Sequence, residues 1–305
     1  MITEAAGLGF SGAGLLAIRA AMIDLDDQQR AAQAWFRQLR NDIWAMLEQL
    51  EDEGTAPGPA GRFEKREWDR TDHSGAEGGG GEMGVMKGRV FEKAGVNIST
   101  VYGEFNPDFA KQINGAAEDP RFFATGISLV IHPVNPLVPA VHMNTRMLVT
   151  TKRWFGGGVD LNPALPDAAE TAAFHAAVKA TCDRHSPEYY PAHSKWAEEY
   201  FWVPHRNRHR GVGGIFYDHL NSGDWAADFA YTQDVGRCFL ETYPKLVREK
   251  MHQAYTQAQR DAQLRYRGLY AEFNLVYDRG TTFGLKTGGN TDAILMSLPP
   301  HARWD

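Results

Sequence analysis

The sequence predicts a single α+β domain built around an antiparallel or mixed sheet, and three observations support this. The 305-residue chain has 43% hydrophobic and 23% charged residues, ordinary values for a globular protein that can bury a sizeable core. Candidate strands are separated by hairpin-like loops or by helices, without the regular spacing of βαβ units. No internal repeat or convincing linker divides the chain, so residues 1–305 are expected to form one domain.

Three helical regions are predicted from the spacing of apolar residues. From Leu25 to Glu53, large apolar side chains recur at three- and four-residue steps and form one helix stripe. The stripe consists of Trp35, Leu39, Ile43, Met46, Leu47 and Leu50. A second helix is expected over roughly residues 167–185. A long helical region runs from about Asp224 to Arg267, and Pro244 within it should kink or split the helix.

Short runs rich in β-branched and aromatic residues are predicted to be strands. They are RFEKREWDR, the segment of residues 84–105, TGISLVIH, VHMNTRMLVTT, GGIFYDHL and YAEFNLVYD. Between the first two lies SGAEGGGGEMG, which has too many glycines for a helix. This segment, with glycines at 78–81, is expected to be a flexible loop that serves as a connector or as a lid.

Composition limits the partners and the compartment. A formal charge of −6 argues against general nucleic-acid binding, which needs a basic surface to neutralise phosphates. No apolar run approaches the ~18 to 20 residues that span a bilayer, and the basic leader of a secretory signal is missing. A soluble, cytoplasmic protein without a transmembrane segment is therefore expected. Residues 1–24 are expected to be an N-terminal extension that could be mobile, and Cys182 and Cys238 to be reduced thiols.

Strand alternation places several polar side chains on one face of the sheet. In VHMNTRMLV, His142, Asn144 and Arg146 share a face, and the core residues alternate with them. In TGISLVIH, Ser128 and His132 share a face in the same way, and the short linker PVNPLVP allows the two strands to be neighbours. The shared polar face is either a binding site or simply a face exposed to solvent.

The segment FWVPHRNRHRGVGG contains five basic residues within six positions, an unusual density in an acidic protein. They are His205, Arg206, Arg208, His209 and Arg210. Such a cluster suits a ligand rich in carboxylates or phosphates, although an exposed charge run is the simpler interpretation. FGLKTGGNTDAILMS resembles a phosphate loop only loosely, because it lacks the Lys-Ser/Thr pair after its last glycine.

Four histidines could in principle gather around one divalent metal ion, because imidazole is a common ligand. They are His132, His142, His175 and His205. Their spacing is unlike any compact metal motif, and scattered histidines are more often structural, so both interpretations remain open.

Four long segments closely resemble the oxygen-dependent coproporphyrinogen III oxidase family. They are ISLVIHPVNPLVPAVHMNTR, WFGGGVDLNP, HRNRHRGVGGIFYDHLN and YAEFNLVYDRGTTFGLKTGGNTDAILMSLPP. The similarity extends from about Arg30 to the C-terminus. It implies a large, flat, mostly antiparallel sheet flanked by helices on both faces, and a homodimer. It also implies a haem-biosynthesis enzyme that converts the ring A and B propionates of coproporphyrinogen III to vinyls. Dioxygen is the co-substrate, carbon dioxide and hydrogen peroxide are released, and no organic cofactor is needed.

The resemblance also assigns roles to individual residues. The expected substrate contacts are Ser128, Asn144, Thr145, Arg146, Gly288, Gly289 and Asn290. His142 corresponds to a proposed proton donor. His132, His142, His175 and His205 correspond to positions proposed as divalent-metal ligands, and the need for a metal is disputed in the family. The place of Asn290 is often an arginine in the family pattern, which puts one propionate contact in doubt.

The segment WFGGGVDLNP offers three glycines and an acid, Asp160. For a porphyrinogen-binding protein, Gly156–Gly158 would let the main chain approach a broad macrocycle closely. Asp160 would face the pyrrole N–H groups and act as a base, while Arg146 would hold the propionate or stabilise peroxide charge. Asp160→Asn is then expected to fold normally and lose activity. The alternative is that Asp160 only caps a turn.

Two other functions remain open from the sequence. One is a histidine-ligated metal oxygenase acting on another aromatic acid, and the other is a non-catalytic tetrapyrrole-binding protein. The family resemblance, together with the apolar AILMSLPP near the C-terminus, suggests that residues 270–305 form a homodimer interface.

Overall fold

The computed structural model describes residues 26–286 and 289–305, and the expected extension of residues 1–24 lies outside this range. The described helices are α1 (Asp27–Glu53), α2 (Pro107–Ala110), α3 (Ala168–Asp183), α4 (Tyr189–Tyr200), α5 (Trp225–Lys250), α6 (Gln257–Val276), α7 (Arg279–Lys286) and α8 (Thr291–Leu295). The strands are β1 (Glu64–Thr71), β2 (Glu77–Met86), β3 (Phe91–Glu104), β4 (Arg121–Pro133), β5 (Ala140–Val149), β6 (Arg153–Asn162), β7 (Trp202–Val203), β8 (Arg208–His209) and β9 (Gly214–Leu220).

Seven strands form one sheet in the order β1-β2-β3-β4-β5-β6-β9. Every neighbouring pair is antiparallel, and the first six strands follow one another as successive hairpins. The step from β3 to β4 includes the short helix α2, and the step from β6 to β9 includes α3 and α4. The predicted α+β fold with a mostly antiparallel sheet is therefore confirmed.

One face of this sheet, here called the core face, is covered by α1 and α5. Helix α1 packs on β3 and β4, and α5 packs on β5 and β6. The predicted stripe on α1 is buried, with Leu39, Ile43 and Leu47 at 0% exposure. Burying a side chain of this size contributes roughly 1.5–3 kcal/mol. Most of the core lies on this face.

The opposite face, here called the site face, carries the polar side chains and is partly covered by α6 and α8. The His132 ring on β4 lies edge-on to Tyr270 of α6, with 5.2 Å between ring centroids. The Asn97 amide on β3 donates a hydrogen bond to the Ala293 carbonyl of α8 at 2.9 Å. Helices therefore flank both faces, as expected.

The glycine-rich segment around residues 78–81 is a strand, so the prediction of a flexible loop or lid was wrong. It forms β2, between β1 and β3. A β-carbon on Gly80 would lie 2.1 Å from the Trp68 carbonyl oxygen, and one on Gly81 would lie 2.6 Å from the Trp68 ring. These glycines give room to the neighbouring strand and to the Trp68 side chain, a long-range requirement that composition alone does not reveal.

The prediction of a strand over residues 270–278 was also wrong, because α6 extends to Val276. The apolar positions Tyr270, Phe273 and Tyr277 are spaced by three and four residues, so they also fit one side of a helix. Periodicity in a short apolar run does not separate a buried helix from a strand. Pro244 lies inside α5, and the break between α5 and α6 comes later, at residues 251–256.

Two further expectations concern thiols and membranes. Cys182 and Cys238 are buried free thiols, as predicted. Over the described ranges, none of the helices combines the length and the apolar character that crossing a bilayer requires.

Candidate active site

Three polar side chains of β5 form a row on the site face. His142, Asn144 and Arg146 are half-buried and alternate with the buried core residues, as the sequence predicted. The Asn144 amide nitrogen lies 3.1 Å from His142 Nε2, and Arg146 donates to the Asn144 amide oxygen at 3.2 Å. Because the Asn144 oxygen is occupied by Arg146, its NH₂ group faces His142, which makes His142 Nε2 the acceptor. The row thus favours the His142 tautomer that carries its proton on Nδ1.

The neighbouring strands extend this row across the sheet. Ser128 of β4 pairs in register with Asn144 on one side and with Asn97 of β3 on the other. Thr145, in contrast, is fully buried on the core face, and its hydroxyl has no hydrogen-bond partner among the described residues. The structure therefore brings Ser128 to the site face and places the Thr145 side chain away from it.

Asp160 lies on β6 directly opposite His142, at the buried end of this row. One carboxylate oxygen accepts a hydrogen bond from His142 Nδ1 at 2.7 Å. The other accepts from Asn162 at 2.7 Å and from Arg210 at 2.6 Å. The side chain is only 1% exposed. Asp160 therefore meets the open part of the site through His142, and both of its oxygens are already in use.

Arg210 is the counter-ion of Asp160, with its side chain 2% exposed. Its guanidinium also donates to Asn274 of α6 at 2.9 Å and lies 4.2–4.7 Å from the ring centroids of Phe201, Tyr270 and Phe273. Burial alone would raise the pKa of Asp160, but the Arg210 charge and the His142 hydrogen bond hold it below its usual value. Asp160 is therefore ionised, and the pair forms a rigid base beneath His142.

At the open end of the row, Arg146 is paired with Asp218 of β9. Their nitrogen and oxygen atoms lie 2.8 Å apart, and the side chains are 31% and 25% exposed. The pair passes over Gly156 of β6, where a β-carbon would lie 2.7 Å from an Asp218 oxygen. At this position the missing side chain makes room for the protein's own ion pair. Gly157 faces the core, and a β-carbon there would meet the Asn144 carbonyl at 2.6 Å.

The five predicted basic residues do not form one patch. Arg206 and His205 both bind the carboxylate of Glu272 on α6, and Arg208 is exposed. Arg210, at the end of the same run, turns inward to Asp160. The sequence predicted neither the burial of Arg210 nor the pairing of Asp218 with Arg146. The glycines after Arg210 were the only local signal, since Gly211 and Gly213 have φ angles of +77° and +78° and turn the chain there.

The four histidines considered as metal ligands each have separate protein partners. His132 is buried and bonded to the Ser297 carbonyl at 2.9 Å, and His175 uses both ring nitrogens, on Tyr190 and on the Val212 carbonyl. No group of three or more His, Cys, Asp or Glu in residues 26–286 and 289–305 is placed to hold a metal ion. The arrangement in the single chain thus does not fit a four-histidine centre.

The expected substrate contacts at residues 288–290 are only partly described. Gly288 lies outside the described residues, and the Gly289 amide donates to the Gly284 carbonyl at 2.9 Å. Asn290 is the N-cap of α8, and its side-chain oxygen accepts from the Ala293 amide at 2.9 Å. Asparagine is a good capping residue, which gives Asn290 a structural role.

Known proteins resemble this chain over most of its length. Residues 31–305 match the family described as coproporphyrinogen III oxidase. The chain is 53% identical over 276 residues to an oxygen-dependent coproporphyrinogen-III oxidase of Rickettsia bellii, covering 89% of this chain and 96% of that protein. It is 52% identical over 284 residues to the enzyme of the same name from Rickettsia felis, covering 92% and 99%. The chain belongs to the coproporphyrinogen III oxidase family.

Proposed function

We propose that this chain is an oxygen-dependent coproporphyrinogen III oxidase of haem biosynthesis. At rings A and B, each propionate loses its carboxylate as CO₂ and one hydrogen from the remaining carbon chain, which leaves a vinyl group. This is a two-electron oxidation, and the two electrons pass to dioxygen, which takes up two protons and leaves as H₂O₂. Identity of about half over nine-tenths of the chain to enzymes with this name is the observation that carries the proposal.

Arg146 is the proposed anchor for the reacting propionate. It is the partly exposed guanidinium of the β5 row, and Asn144 orients it from the side. A guanidinium binds a carboxylate with two parallel hydrogen bonds, which fixes the side chain that reacts. Ser128 and Asn144 lie in the same row and are proposed to contact the macrocycle.

His142 is proposed to move protons at the site, with Asp160 behind it. Asp160 holds the proton on Nδ1 and thereby leaves Nε2 as the reactive nitrogen. With the Nδ1 proton held by Asp160, Nε2 is the ring atom at which His142 accepts a proton and returns it. A direct contact between Asp160 and the pyrrole N–H groups stays a prediction, and it requires one of the carboxylate's present partners to move.

Dioxygen is the proposed co-substrate, and the described histidines do not form a common metal site. A cytoplasmic location is proposed together with this function.

A homodimer is also proposed, with residues 270–305 in the interface. Among the described residues, large apolar side chains that are exposed include Leu275, Val276, Leu285 and Trp304, all in this segment. An exposed apolar surface of this kind is typical of an interface. Light scattering should give about twice the 34.0 kDa chain mass, and a mass near 34.0 kDa would contradict the dimer.

The function is tested by incubating the purified protein with coproporphyrinogen III in air and under nitrogen. Products are oxidised to porphyrins and followed by fluorescence, and released CO₂ is measured in parallel. Protoporphyrin and CO₂ should form only in air. A tetrapyrrole carrier would bind under both conditions and release no CO₂, so the absence of vinyl product in air would refute the proposal.

A further inference from the structure

Asp218 lies at an irregularity in β9. The pairing of β6 with β9 shifts between Phe155 and Gly157, so Asp218 and His219 together stand opposite Gly156. His219 has a φ of 54°, in the left-handed region that few residues other than glycine adopt. Such a bulge re-aims side chains next to functional sites. Regular alternation after the core-facing Tyr217 turns Asp218 to the site face, and the bulge lets Leu220 return to the core.

The carboxylate of Asp218 has few partners. One oxygen accepts from the His219 backbone amide at 2.9 Å, and the other is held by Arg146 at 2.8 Å. The bare backbone at Gly156 leaves room for this pair, and a β-carbon there would also lie 2.8 Å from an Arg146 nitrogen. The His219 backbone N–H at the bulge and the bare strand at Gly156 are two separate features that favour the same Arg146–Asp218 contact.

The Arg146–Asp218 pair affects how a propionate binds in the proposed reaction, and the inference below rests on that proposed function. A propionate that binds Arg146 must displace Asp218 or lie beside a like charge, so Asp218 weakens substrate binding. When the propionate leaves as neutral CO₂, Arg146 loses its anionic partner, and Asp218 can pair with it again. We infer that Asp218 is a positioning residue that acts through Arg146, weakening the bound propionate and stabilising the site after decarboxylation.

Such a residue acts by differential binding: it opposes the ground state and favours the state after carboxylate loss. Its removal should therefore change binding and turnover in opposite directions. In Asp218→Asn, coproporphyrin III, the oxidised and unreactive macrocycle with the same four propionates, should bind about tenfold more tightly, corresponding to about 1.4 kcal/mol. The kcat for coproporphyrinogen III should fall by about tenfold or more.

The experiment measures both quantities in the full-length protein. Binding of coproporphyrin III is followed by fluorescence titration, and kcat and KM are measured with coproporphyrinogen III in air. Asp218→Glu keeps the charge and should retain more of the kcat than Asp218→Asn. Asp119→Asn, which removes an exposed partner of Arg121 at the start of β4, is the matched control and should change neither quantity. If Asp218→Asn does not fold, Asp218→Ser carries the same expectation with less bulk.

Tighter binding together with a lower kcat supports the inference. Unchanged or weaker binding by Asp218→Asn overturns it, and so does an unchanged kcat. Wild-type turnover is measured first, since its absence would refute the proposed function itself. Normal wild-type turnover with parallel losses of binding and kcat in Asp218→Asn would overturn only the role given to Asp218.

Discussion

Replacement of Asp160 by asparagine is the most informative single change in this protein. The sequence suggests that Asp160→Asn folds normally, because asparagine keeps the shape and can still cap a turn. The structure changes that expectation. Asp160 neutralises Arg210, whose side chain is 2% exposed, and asparagine would leave this charge buried without a counter-ion.

The cost follows from the partners that the carboxylate loses. Removing one member of a buried ion pair typically costs about 3–5 kcal/mol, because the remaining charge is desolvated and unpaired. At roughly 2 °C per kcal/mol for a chain of this size, the Tm should fall by about 6–10 °C. Turnover of coproporphyrinogen III should fall by about 10²- to 10⁴-fold, since His142 loses the anion that orients it.

A double-mutant cycle separates the stability effect from the catalytic one. Arg210→Met removes the buried charge and leaves an apolar side chain among Phe201, Tyr270 and Phe273, which suit a methionine sulfur. Combined with Asp160→Asn, it should recover about 2 kcal/mol or more of stability relative to the sum of the single variants. Activity should stay low, because His142 still lacks its carboxylate.

Chemical denaturation and turnover are measured on the same preparations, with Asp119→Asn as a control for an exposed ion pair. That control should leave the stability almost unchanged, because exposed ion pairs contribute little. An additive cycle would refute the coupling between Asp160 and Arg210. Near-normal turnover in the folded double variant would reduce Asp160 to a structural role.

Three further outcomes are expected. Arg146→Ala should reduce substrate binding and turnover more than Arg208→Ala, because Arg146 lies in the ordered β5 row and Arg208 is exposed. Equal losses in the two variants would mean that the β5 row is not the substrate site. Arg146→Lys should restore only part of the activity, because lysine lacks the two-pronged geometry of the guanidinium. The fully buried Glu51 carboxylate accepts four backbone N–H bonds, and in Glu51→Gln the amide NH₂ would face two of these donors. The free energy of unfolding in urea should therefore fall by about 2–4 kcal/mol, and a change within about 0.5 kcal/mol would contradict this. Burial lowers the pKa of His193 from 6.5 to about 4, so its contribution to stability is complete above pH 6.5 and is lost as the pH falls towards 4. Between pH 7 and pH 5 the free energy of unfolding of the wild type should fall by about 1–2 kcal/mol more than that of His193→Asn. Equal losses in the two proteins would contradict this role of His193.

The local elements of the fold could be predicted because their signals lie within a few residues. The α1 stripe and the alternation in β5 depend only on helix and strand geometry, which repeat every 3.6 and two residues. That alternation was enough to place His142, Asn144 and Arg146 on one face. The family could also be identified from long segments with rare residues in fixed order.

The errors arose where a local pattern had more than one structural solution. The glycines of β2 are required by Trp68 and the adjoining strand, and nothing within the segment itself indicates that contact. The apolar residues of α6 after Tyr270 satisfy strand and helix patterns alike, and packing against the site face decides for the helix.

By itself, the sequence determined the fold class, the polar row on β5 and the family. Only the tertiary structure decided how the charges of the site are paired. Asp160 and Arg210 are 50 residues apart and meet because β6 and the turn before β9 come together. Arg146 meets Asp218 across Gly156 of β6. Periodicity describes which side of an element a residue occupies. Burial and the distance between two charges depend on all the elements packed around them, and these set the pKa of Asp160 and the partner of Arg146.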